Sequence, residues 1–216
     1  MEQESYGYGH CQFCIDVSEG SSLVTSPEHV YATFPDTDAM DLEGSFTITA
    51  WIKPDLPEPT DSPAERRLLQ DNELSIMKIV SKMSDYSQKG YWLALEPTSD
   101  AGVFEFQLGV TKHTMDMTDT WYHVAGSYDG QTMTLYVNTE AVATTSYDLE
   151  APKYNKPNQQ PVKVGVDFYG NIDEVKVYNT AIAPSLMTGM CPSGEMAPES
   201  GLIAYYRYYA DEGINA

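Results

Sequence analysis

Basic residues are scarce in this chain: 12 Lys and Arg stand against 32 Asp and Glu, for a formal net charge of -20. Duplex DNA and anionic lipid carry charge of the same sign and repel such a surface, so nucleic-acid binding is not expected. Cysteine is sparse as well. Cys11, Cys14 and Cys191 make three, an odd number, so at least one of them is unpaired or pairs outside this chain. Cys11 and Cys14 form a lone C-x-x-C, too little for a four-cysteine zinc site. A disulfide from Cys191 to Cys11 or Cys14, tying the two tails together, is the expected arrangement. Long apolar runs are missing: no stretch approaches the roughly 18 residues a membrane-spanning helix needs, and membrane insertion is not expected. The opening MEQESYGYGH is acidic and polar, without the apolar stretch of a secretion leader. Amphipathic helices are nearly absent, the single candidate being residues 184–190 with Pro184 at a first-turn position.

What is present is two-residue alternation. Phe46, Ile48, Ala50 and Ile52 fall on one face of a strand over 45–52, and Thr47, Thr49 and Trp51 on the other. Phe104, Phe106, Leu108 and Val110 line one side of 103–110, and Met133, Leu135 and Val137 one side of 132–138. Further strands fit 29–34, 77–82, 90–96, 121–128, 161–166 and 172–178. Asp129-Gly130 marks a hairpin between two of them. Closely spaced strands without intervening helices predict an all-β, antiparallel β-sandwich of two stacked sheets. Residues 54–74, with Pro54, Pro57, Pro59 and Pro63, read as a long surface loop whose tail could wind into a helical turn, and 148–161 as a second loop. The expected organisation is a tail with a possible edge strand over 1–28, one domain over 29–189, and a linker plus strand over 190–216.

The order of landmarks resembles the laminin-G-like, pentraxin-related branch of the concanavalin A-like jelly rolls. The segments that carry the likeness are GSFTITAWIKP (44–54), KIVSK (78–82), GYWLAL (90–95), FEFQLGV (104–110), WYHVAGSYDGQTMTLYVN (121–138) and GNIDEVKVYNTAIAPS (170–185). The last two, in this order and spacing, are the specific pair. The resemblance implies a jelly-roll sandwich, core positions for Trp51, Trp92 and Trp121, and a non-catalytic module that binds a glycan or an extracellular protein. It also implies an extracellular or cell-surface setting with neighbouring domains in one chain. Related β-glucanases carry E-x-D-x-x-E on one strand; no such run occurs here, and Asp173 and Glu174, as adjacent strand residues, cannot form a catalytic pair. The FDG segment common before the first strand of the family is missing. GLIAYYRYYADEG (201–213) looks like the strand that usually opens such a domain. It is read here as the start of a following repeat, with a return into this domain's own sheet as the alternative.

Four carboxylates stand out. Strict alternation puts Asp173 on the same face as Val175 and Val177, where an unpaired charge would be costly. Asp36, Asp38 and Asp41 crowd one loop and repel unless a cation neutralises them. The expectation is a calcium ion held by Asp36, Asp38 or Asp41 together with Asp173 and loop carbonyls, since calcium takes six to eight oxygens. Tyr154, Asn155 and Tyr169 are the candidate ligand contacts, an aromatic face for a sugar ring beside amide groups that bind hydroxyls. The rival reading is a structural or protein-interaction spacer, or an accessory domain of a glycosidase.

Overall fold

A computed structural model describes residues 14–16, 31–54, 76–83, 90–98, 103–117, 120–146, 157–187 and 200–207. Among the described residues, thirteen strands follow in chain order: β1 (Cys14–Asp16), β2 (Ala32–Phe34), β3 (Phe46–Pro54), β4 (Met77–Met83), β5 (Gly90–Pro97), β6 (Val103–Leu108), β7 (Thr111–Asp116), β8 (Tyr122–Tyr128), β9 (Thr132–Val137), β10 (Glu140–Ser146), β11 (Val162–Val166), β12 (Gly170–Tyr178) and β13 (Leu202–Arg207). A 3-10 turn covers Asp38–Met40 and a one-turn helix, α1, covers Pro184–Met187. The strands form a seven-stranded sheet, β1-β13-β12-β3-β8-β9-β10, and a six-stranded sheet, β2-β11-β4-β5-β6-β7. All pairings are antiparallel except β1 with β13. This is the expected jelly-roll sandwich. No helix among the described residues is long and apolar enough to cross a membrane.

Alternation builds the core. Phe46, Ile48, Ala50 and Ile52 of β3 have no exposed surface, and they meet Leu93 and Leu95 of β5 and Phe104 and Phe106 of β6 in one buried cluster. The sheets approach closely at Gly126, where a Cβ would lie 2.8 Å from Leu108 Cδ2 and 3.0 Å from Leu93 Cδ1. A larger residue there would push the layers apart. The Asp129-Gly130 hairpin forms as expected. Asp129 accepts hydrogen bonds from the Gln131 and Thr132 amides, both at 2.8 Å, and these hold its carboxyl below the usual range.

One strand expectation is corrected, two strands are added, and the C-terminal strand takes one of the two places left open for it. The run 103–110 stops at Leu108, because Gly109 (φ 56) and Val110 form a tight turn and leave Val110 43% exposed. The turn leads into β7, and a second positive-φ turn at Asn138 and Thr139 leads into β10. Neither β7 nor β10 was expected. The strand at 202–207 lies in this domain's own sheet, antiparallel to β12, and sends Ala204 and Tyr206 into the core, with Tyr206 stacked on Phe34 at 4.1 Å between centroids. The helix expected over 184–190 is described only for its single turn.

A chain ending at residue 200 is expected to unfold at a clearly lower temperature, because it loses two core side chains and exposes the edge of β12. An unchanged thermal midpoint would mean that β13 adds nothing to the sandwich.

Candidate functional site

The acidic loop does have its cation, supplied by the chain. Lys82, at the end of β4, turns inward with its side chain 1% exposed. Its Nζ lies 2.5 Å from Asp41 Oδ1 and 3.0 Å from Asp36 Oδ1, and it donates to the Asn158 carbonyl oxygen at 2.5 Å. An ammonium has three donors, and these three acceptors use them all. Asn158 completes the tie, its amide N–H donating to Asp41 and its side chain to the Lys82 carbonyl. Gly90 (φ 115) makes the close approach possible, since a Cβ there would fall 1.7 Å from the Lys82 oxygen. Burial pushes the Tyr91 phenol well above its ordinary pKa, with Tyr206, Asp41 and Asp36 adding to the effect. The Tyr91 hydroxyl finds no hydrogen-bond partner among the described residues.

This arrangement does not fit the expected calcium set. The Lys82 ammonium already fills the space between Asp36 and Asp41, Asp38 is exposed in the 3-10 turn, and no three acidic, His or Cys side chains converge among the described residues. Asp173 stands apart for a second reason. The pairing of β12 with β3 jumps from Asp173 opposite Trp51 to Lys176 opposite Thr49, one residue too many, and Glu174 takes φ 50 to absorb it. Ile172, Val175 and Val177 therefore face the core, and Asp173 does not share a face with the valines as strict alternation required. Its carboxylate accepts a hydrogen bond from the Glu174 amide at 2.7 Å. Glu174 is buried and accepts from the Tyr205 hydroxyl, while Lys176 Nζ sits 5.5 Å from the Tyr205 ring centroid.

Among the candidate ligand residues, Tyr169 is half-buried against the core. Tyr154, Asn155, Cys11 and Cys191 lie outside the described residues, and for Cys14 only the backbone, in β1, is described. The tryptophans are corrected: none belongs to the core. Trp51 and Trp92 are half-buried on outer faces, and Trp121 is 43% exposed.

The two outer faces differ. That of the seven-stranded sheet is partly closed by residues 179–187. Thr47 Oγ1 donates to the Thr180 carbonyl and accepts from the Ile182 amide, and Met187 of α1 is buried. His123 lies beneath this cover, edge-on to Trp51 at 5.4 Å. Burial first, and then the Lys176 charge, lower its pKa to about 4, partly opposed by a hydrogen bond with the Met187 backbone.

The outer face of the six-stranded sheet carries side chains that sequence reasoning missed. Register aligns Thr33, Lys163, Ser81 and Trp92 in one row across β2, β11, β4 and β5. The next row holds Lys78, Ala94, Gln107 and Lys112. Beyond it, Glu96 pairs with Glu105. Gln107 is buried and donates to both glutamates, and Lys112 bridges the same two, at 3.5 Å from Glu96. Lys163 Nζ lies 5.3 Å from the centroid of Tyr31, itself 40% exposed. By contrast, the cavity lined by Phe46, Tyr91, Leu108 and Met133 measures about 10 Å³, room for one water at most. A sugar must therefore rest on a face rather than enter that cavity.

Residues 27–185 match a laminin-G-type profile of the concanavalin A-like lectin/glucanases superfamily, and the chain belongs to that family. Among solved structures, the chain is similar to a Bacteroides ovatus protein described as carbohydrate binding, at 20% identity and TM-score 0.54, over 83% of this chain and 49% of that one. It is also similar to the native heptameric SAP-like pentraxin of Limulus polyphemus, at 14% identity and TM-score 0.52, over 86% of each chain. The chain thus spans about half the length of the Bacteroides ovatus structure. No curated protein matches it.

Replacing Lys82 with Met leaves two partly buried carboxylates without their cation and is expected to cost about 3–5 kcal/mol of stability. Adding Asp36→Asn and Asp41→Asn should recover much of that loss, and the parent should melt at the same temperature in calcium and in chelator. A midpoint raised by calcium would contradict this account of the loop. A separate expectation concerns His123. Its folded pKa of about 4 lies below that of a free histidine, roughly 6.5. Folding therefore favours the neutral ring, and the contribution is complete above about pH 6.5 and is lost as pH falls toward 4. A His123→Gln variant should lose less stability than the parent across that window in denaturant titrations; parallel profiles would show that His123 does not set the slope.

Proposed function

We propose that this domain is a non-catalytic glycan-binding module that carries its ligand on the outer face of the six-stranded sheet. It would act outside the cell as part of a multidomain adhesive protein. The observation that carries the reading is the row Thr33, Lys163, Ser81 and Trp92, bordered by Gln107 and its glutamates. An indole offers a flat apolar surface to the carbon face of a pyranose, while amide, carboxylate and ammonium groups bind its hydroxyls. The opposite sheet is less suitable because residues 179–187 cover part of it. Family membership and the carbohydrate-binding description of the Bacteroides ovatus relative support the same reading.

The non-catalytic half rests on the carboxylates. Retaining glycosidases place two of them about 5 Å apart across the scissile bond. Here Glu174 is buried against Tyr205 and Asp173 is turned to its own backbone. Glu96 and Glu105 share Gln107 and Lys112, and both are tied into that network rather than divided into an acid and a base.

Glycan-array binding by the isolated domain is expected to give a defined set of ligands. Trp92→Ala should weaken them about tenfold, the equivalent of 1.4 kcal/mol, with little change in thermal midpoint. Silence across the array, with capture of a protein partner that free sugars do not displace, would replace this reading with that of a protein-interaction spacer.

A further inference from the structure

We infer that the ligand of this face is an anionic glycan, bearing carboxylate or sulfate groups, and that Lys163 and Lys78 recognise its charge. The inference rests on the glycan reading above and adds the chemical class. A chain of net charge -20 is a poor partner for any anion unless a local surface reverses the sign. The six-stranded sheet does so on one half. Neither Lys163 nor Lys78 has a carboxylate within ion-pair distance among the described residues. No acidic residue lies on the outer faces of β2, β11 and β4. Lys112, on the other half, is taken up by Glu105 and Glu96. Lys82, on the same strand as Lys78, is spent inside on Asp36 and Asp41. The positive charge left for a ligand is thus concentrated on β11 and β4.

Geometry suits an extended acidic chain. Thr33 and Trp92 are separated by three inter-strand steps, about 14 Å at the usual spacing. Between them Lys163 stands over the Tyr31 ring, which fixes its ammonium near the surface without neutralising it. Ser81, small and buried, forms a low floor between Lys163 and Trp92. Lys78 lies one row, about 7 Å, further along the strand direction, because the extra residue in β4 sets it opposite Ala94 while Ser81 stands opposite Trp92. An acidic sugar stacked on Trp92 would have one lysine beside it and a second within reach of the next residue.

The test uses the whole chain and three immobilised polysaccharides: polygalacturonate for carboxylate, dextran sulfate for sulfate, and neutral dextran. Binding to either anionic polymer is expected at least tenfold tighter than to dextran, weakening steeply as salt is raised. In a Lys78→Gln, Lys163→Gln variant with an unchanged thermal midpoint, the preference should disappear. Whichever polymer binds identifies the anion. Two results overturn the inference: equal binding of dextran and the acidic polymers with no effect of the double variant, or acidic binding that survives it. The first leaves the glycan reading intact. If the chain binds none of the three and is silent on a broad glycan array, the glycan reading falls as well.

Discussion

The ammonium of Lys82 is the positive charge that fastens the acidic loop to the body of the sandwich. It ties the loop before β3, the end of β4 and the residues before β11 through two carboxylates and one carbonyl oxygen. Acidic residues outnumber basic ones by 32 to 12, so an acidic loop packed on the core would otherwise open by self-repulsion. One buried lysine settles that conflict from within. It also explains the backbone beside it: Gly90 must be glycine because the Lys82 carbonyl occupies the space of a side chain. Buried ion pairs of this kind add little net stability compared with apolar packing, but losing one partner is severe.

With the loop secured internally, the two sheets take different roles. The seven-stranded sheet is closed over part of its outer face by the segment that follows β12, anchored at Thr47 and Met187. It is completed by β13, whose Tyr205 satisfies the buried Glu174. The six-stranded sheet keeps an outer face of aromatic, amide and charged side chains among its described residues. Its polarity is divided: glutamates and a neutralised lysine on β5, β6 and β7, unneutralised lysines on β4 and β11, with Trp92 at the near end of β5 and Tyr31 just before β2. The proposed recognition of an anionic ligand rests on that division.

The sandwich was legible because burial on one face leaves a period of two, as in Phe46, Ile48, Ala50 and Ile52. It failed at the margins of the sheets. The strands β7 and β10 are edge strands with one partner each and mostly exposed side chains, so TKHTMD and EAVATTS carry no clean alternation. Asp173 was misread because the extra residue at Glu174 is a matter of backbone angle; the letters from Asn171 to Val177 look like an unbroken strand. Lys82 was read only as part of KIVSK. Its partners Asp41 and Asn158 are 41 and 76 residues away in sequence, and no local pattern connects them. The tryptophans were assigned to the core by likeness, whereas the alternation around Trp51 and Trp92 already pointed them outward.

The central claim is that the outer face of the six-stranded sheet is where this domain meets its ligand. Backbone amide shifts recorded while an oligogalacturonate is titrated into the isotope-labelled chain test it most directly. The account predicts that perturbations cluster at Thr33, Lys78, Ser81, Trp92 and Lys163 and leave Trp51, Trp121 and Asp173 unmoved. A cluster at those last three residues, on the opposite sheet, would contradict it.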